Sequence, residues 1–149
     1  MTARPARRRD EVGQISLLII GMATILLIGV AVVVDASAAY LQRQGLNTLA
    51  DGAALYGADR GARAVHLQGL DDRLPQVRAQ VEQGVAEYLR NTRAADQFPG
   101  LQARVTVEAG SNTVRVTLRA PLDLPLSVPG SPEAPQVAAQ GAAVVTVRR

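Results

Sequence analysis

Residues Ile15 to Val34 form an unbroken run of twenty positions without a charge, a proline or an amide side chain. At about 1.5 Å of rise per residue a helix of that length is roughly 30 Å long, the thickness of a bilayer's hydrocarbon core. Ser16 and Thr24 supply its polar side-chain atoms, and a helical hydroxyl can bond back to the carbonyl one turn earlier, so neither needs water. A buried core helix would normally be shorter and would show a polar face. The run therefore predicts a membrane span.

Charge gives that span a direction. Arg4, Arg7, Arg8 and Arg9 precede it beside Asp10 and Glu11, whereas the far flank opens with Asp35 and has no arginine before Arg43. Positive residues beside a span stay on the cytoplasmic side, which predicts a cytoplasmic N-terminus and an external remainder. Residues 1–13 then make a basic tail, 14–35 the transmembrane helix, 36–62 a helical extension outside the membrane and 63–149 a small external domain. A competing reading is a cleaved secretory signal. Ala36-Ser37-Ala38 has the small-x-small form of a signal-peptidase site, with the cut between Ala38 and Ala39. Against it, the apolar run exceeds the roughly 7 to 15 residues of an ordinary signal core.

A chain of 149 residues leaves room beyond the span for one modest core and no second catalytic domain. After the span twelve arginines face eleven acids, so the body is nearly neutral and no nucleic-acid footprint is expected. The absence of cysteine excludes disulfides, thiol catalysis and sulfur-ligated metals. His66 is the one histidine and has no carboxylate or histidine cluster beside it, so it reads as a solvated turn residue, not a ligand. No cofactor, metal site or small-molecule substrate is expected.

Beyond Val34 no proline occurs until Pro75, and Ala38, Leu41, Gly45, Leu49, Gly52, Ala53 and Tyr56 recur at spacings of three and four. Span and stripe are expected to form one rod. Gly45, Gly52 and Gly57 each cost about 1 kcal/mol relative to alanine in a helix, which suggests close approach of another backbone or a bend. From Gly61 to Asp72 the pattern breaks, and a connection is expected. Pro75 then suits the first turn of a second helix whose ladder is Val77, Val81, Val85, Tyr88 and Leu89, ending near Ala94 and covering either a sheet or the rod.

From Leu101 the period becomes two. Ala103, Val105 and Val107, then Val114, Val116 and Leu118, alternate with polar residues on either side of the turn Gly110-Ser111-Asn112, which predicts a hairpin. Ala139, Gly141, Ala143, Val145 and Val147 share one face of a third strand. Pro121 to Pro135 holds five of the eight prolines and is expected to be a semi-extended connection packing Leu122, Leu124, Leu126 and Val128. A proline-rich docking motif is the alternative there. The fold class is α+β: a long N-terminal transmembrane helix continuing outside, a second amphipathic helix and a three-stranded antiparallel sheet.

No paired histidine and carboxylate motif, phosphate-binding glycine loop or G-x-S-x-G elbow is present, so an enzyme is not expected. The arginine-rich start, Gly13-Gln14-Ile15-Ser16 opening the span, Val32-Val33-Val34-Asp35 closing it, and Leu46-Asn47-Thr48-Leu49-Ala50-Asp51-Gly52-Ala53-Ala54-Leu55 together resemble the TadE/TadG-like proteins of Flp (tight adherence) pilus systems, especially the actinobacterial kind. The resemblance implies a single-pass, pseudopilin-like component of a pilus or related secretion apparatus in a bacterial cytoplasmic membrane, with other pilin-like or Tad-type subunits as partners. Flp-type pilins are cut after a glycine with glutamate five residues on. Here Leu18 stands at that distance from Gly13, so a cut between Gly13 and Gln14 lacks its usual companion, and a retained anchor fits better.

If assembly is the function, a packing face is needed. Gly13, Thr24, Ala31 and Asp35 lie close to one line along the helix, with Gly21 on its edge, and small residues there admit a neighbouring membrane helix. Ala38, Leu41 and Leu49 are expected to continue that face outside. The rivals are a small secreted or tethered binding domain released near Ala38, and a membrane-tethered enzyme using His66.

Overall fold

A computed structural model describes the backbone of residues 10–68, 74–108, 110–123 and 135–145, with side chains from 15 to 65 in the first segment and from 75 in the second. The expected tail Met1 to Arg9, the side chains of Gly13, Gln14 and His66, and Leu124, Leu126, Val128 and Val147 lie outside the described residues.

The first helix, α1, runs from Asp10 to Gln68, 59 residues without a break. At the usual rise it is a rod about 90 Å long. The α+β architecture and the continuity of span and extension are as the sequence indicates. The connection expected from Gly61 is not: the helix continues through Gln68. The reason lies in packing. A Cβ on Gly61 would fall 2.9 Å from Val81 Cγ2 and one on Gly57 2.8 Å from Val85 Cγ2. The valine ladder of the second helix seats directly on these glycines, and burial of that apolar surface offsets their helical cost.

That second helix, α2, spans Leu74–Asn91, with Pro75 in its first turn. It ends before Ala94. Arg93 turns left-handed (φ 51°) and a short helix, α3, follows at Ala94–Gln97. Val81 and Val85 are buried, and Val77, Tyr88 and Leu89 are partly so. Between the two covers left open by the sequence, α2 packs chiefly on the rod and touches the first strand only lightly.

The sheet has the order β1-β2-β3, with β1 at Gln102–Glu108, β2 at Thr113–Pro121 and β3 at Gln136–Val144, all antiparallel. Val105 faces Val116 and Val107 faces Val114 across the hairpin, whose turn passes through Asn112 at φ 49°. The Val145 N–H closes the far end by donating to Asn112 O at 2.7 Å. The ends of the proline-rich connection are tied by Leu122 N–H donating to Pro135 O, also at 2.7 Å.

The rod itself covers the sheet. Gly141 of β3 lies on the backbone of Ala50 and Asp51, so close that a Cβ there would reach 2.6 Å from Asp51 N. Leu46, Leu49, Ala50, Ala53, Ala54 and Ala58 of α1 meet Val114, Val116, Leu118, Ala120 and Ala139 of the sheet and Val81 and Val85 of α2 in one core. Phe98 closes its end beside Gly45, where a Cβ would sit 3.3 Å from the ring. Alanines on the rod let both neighbours approach, while the volume comes from the valines and leucines they meet.

Candidate assembly surface on the rod

Within Ile15 to Val34 every large apolar side chain is exposed, from 41% at Val34 to 73% at Leu17. It is the one helix among the described residues long and apolar enough to cross a membrane, and none of its apolar window is buried within the protein. Fourteen large apolar side chains held away from their own core are stable only in an apolar solvent or against another chain. Thr24 Oγ1 inside it donates to Ile20 O at 2.8 Å, and at the outer edge Ser37 Oγ donates to Val33 O at 2.7 Å, so both hydroxyls are satisfied within the helix.

The anticipated packing face divides in two. Gly21 has nothing within 4 Å of a would-be Cβ and opens a shallow groove between Leu17, Leu18, Met22, Ile25 and Leu26. Thr24 is exposed, Ala31, Asp35, Ala38 and Ala39 are half-buried, and Leu41 is 65% exposed. Leu49, by contrast, is 7% exposed and belongs to the domain core, and Gly52 is covered by the Tyr88 ring. Asp35, Gln42 and Leu49 are spaced by sevens, so the line of small residues in the span runs straight down the rod into the folded domain.

Gln42 marks the junction. Its Nε2 donates to Pro121 O at 2.8 Å, and its Oε1 accepts from Asp123 N–H at 3.2 Å. One amide thus pairs with two backbone groups leaving β2 and pins the sheet to the rod eight residues beyond Val34. On the side of the rod away from the sheet and α2, Leu41, Thr48 and Leu55 recur at intervals of seven and remain exposed, Leu55 at 67%. This open line was missed when the outer rod was read as one broad stripe; the heptad spacing is the signal that picks it out.

The strongest polar cluster sits between the helices. Arg60 pairs with Glu87, Tyr56 Oη donates to Glu87 Oε1 at 3.2 Å, and the Tyr56 and Tyr88 rings lie 5.8 Å apart. Tyr56 first, and Glu87 next, raise the Arg60 guanidinium above its ordinary range. All four side chains are engaged with one another across α1 and α2, which is the work of a clasp. No group of three or more histidine, aspartate or glutamate side chains that could hold a metal occurs among the described residues.

Residues 13–64, nearly the whole of α1, match the family model Tad, described as Putative Flp pilus-assembly TadE/G-like. Along its rod the chain is therefore similar to the TadE/G-like proteins. No curated protein and no solved structure matches it significantly. The matched segment takes in both halves of the helix, the exposed apolar half and the half that carries the domain core, and stops short of α2 and the sheet.

Proposed function

We propose that this protein is a single-pass, membrane-anchored, pseudopilin-like structural or assembly component of a Flp/Tad pilus or related secretion apparatus. The observation that carries the proposal is one uninterrupted helix whose first half is unburied and apolar and whose second half is the central element of the domain, with the family match lying on that helix. Its membrane is the bacterial cytoplasmic membrane, with the N-terminus inside and the domain outside, and its partners are the bilayer and other pilin-like or Tad-type subunits. Gly21, Thr24, Ala31, Asp35, Ala38 and Leu41 make the surface offered to such a subunit. Leu49 is spent on the protein's own core. The role is packing, in keeping with a family that is structural rather than catalytic, and it requires no cofactor.

The helix running unbroken through Ala38 and Ala39 supports a retained anchor over a released domain. The mass of the intact protein extracted from membranes tests this. A full-length mass is expected; a species beginning at Ala39 would support the secreted binding domain, and one beginning at Gln14 would support prepilin-type processing.

A further inference from the structure

We infer that the corner between the rod and the start of β3 is a binding site for the phosphate of an anionic phospholipid; the inference rests on the membrane span proposed above. A crevice of about 480 Å³ opens there between Ala39, Tyr40 and Arg43 of α1 and Gln136, Val137 and Ala138 of β3. Among the described residues its lining contains one full charge, the Arg43 guanidinium, and no carboxylate. Among the described residues Arg43 makes no hydrogen bond or ion pair, so its five N–H donors are available. Arg119, opposite Ala138 in the sheet register, brings a second exposed guanidinium to the same end of the sheet and is likewise without a described partner.

Depth decides which anion this is. β3 runs along the rod from the crevice at residues 39–43, past Ala50 at Gly141, toward Gly61 at Val145, so its first residues are the part of the sheet nearest the membrane. Counting from Val34, Tyr40 stands about 9 Å and Arg43 about 13 Å along the axis beyond the hydrocarbon edge. The headgroup layer occupies roughly the first 5 to 8 Å of that distance. The Tyr40 backbone therefore stands just outside the headgroup layer, but helical side chains lean toward the N-terminus, here toward the membrane, so its 68%-exposed ring reaches that layer and Arg43 can lower its guanidinium toward a phosphate from above. Val137 and the alanines give the crevice an apolar wall on the side where a glycerol backbone would stand. A soluble phosphate would have no use for that wall.

The test uses the full chain in detergent, offered equimolar phosphatidylglycerol and phosphatidylcholine, with retained lipid counted by native mass spectrometry. Phosphatidylglycerol should be retained over phosphatidylcholine by about five-fold, the factor one surface arginine contributes. The preference should fall to parity in Arg43→Gln and persist in Arg63→Gln, which alters an exposed arginine twenty residues farther along the rod. Equal retention by the unaltered protein, an equal loss in both variants, or displacement of the lipid by millimolar glycerol phosphate overturns the site. Flotation with neutral phosphatidylcholine vesicles after an alkaline wash reports the span separately. A chain that stays soluble overturns the span and the site together, whereas one that floats without preferring phosphatidylglycerol overturns the site alone.

Discussion

Gly141 and Ala50 touch backbone to backbone: a Cβ on the strand residue would collide with the carbonyl of the helix residue. Neither atom can be moved by a change of rotamer, so a side chain at 141 must push β3 off the rod. Gly141→Ala should cost at least about 1–3 kcal/mol, the usual penalty for overfilling a packed core. Gly21→Ala meets open space and should cost nothing comparable. Thermal unfolding of the full chain in one detergent compares the two, and equal midpoints would show that the sheet does not dock at Ala50.

Val116 is fully buried at the centre of the middle strand. Val116→Asp places a charge with no partner among Leu46, Val114 and Leu118 and should cost several kcal/mol. The expected outcome is a lost or strongly lowered unfolding transition in near-ultraviolet signal, with the helical signal of the span retained.

Assembly through the span predicts a directional result. Single cysteines can be introduced without background because the chain has none. Those at Gly21, Ala31 and Ala38 should cross-link to a partner in membranes carrying the whole apparatus, whereas Ile15 and Val33, on the opposite side of the helix, should not. Uniform cross-linking around the helix, or none, would leave a simple tether as the better account.

Topology has its own measurement. Alkaline phosphatase fused after Arg149 should be active and a cytoplasmic reporter at the same place silent, as four arginines before the span require. The reverse pattern would turn the molecule round without altering its fold.

Gln42→Ala removes one amide that serves two backbone partners. The site is solvent-accessible, so the loss should be near 1 kcal/mol. Its sign is better read by hydrogen exchange, where the N–H of Asp123 should lose protection while Val116 keeps its own.

How far the sequence reaches can be followed residue by residue. The span and the hairpin were legible because each is written in a single stretch: twenty uncharged, mostly apolar residues at Ile15 to Val34, and valines alternating about Asn112. The role of α2 was not, because the Val77–Val81–Val85 ladder says that one face is buried and nothing about what buries it. The same gap hid the helix beyond Gly61, since the residue that stabilises that glycine, Val81, is twenty positions away. Leu49 looked like a continuation of the membrane face, yet the sheet returns across some ninety residues to cover it. Gln42 carried no periodic signal at all. An amide that holds two strand carbonyl and amide groups is visible only once β2 is in place.

The rod also fixes a phase. One helix carries the span and the centre of the domain with no loop between them, so the azimuth of Gly21 in the bilayer and that of β3 outside it are locked together. Insertion of a single alanine between Asp35 and Ala38 would turn one against the other by about 100° while lengthening the shaft by about 1.5 Å; four alanines would bring them back to within about 40°. A neighbour that grips the span thereby sets the compass bearing of the sheet.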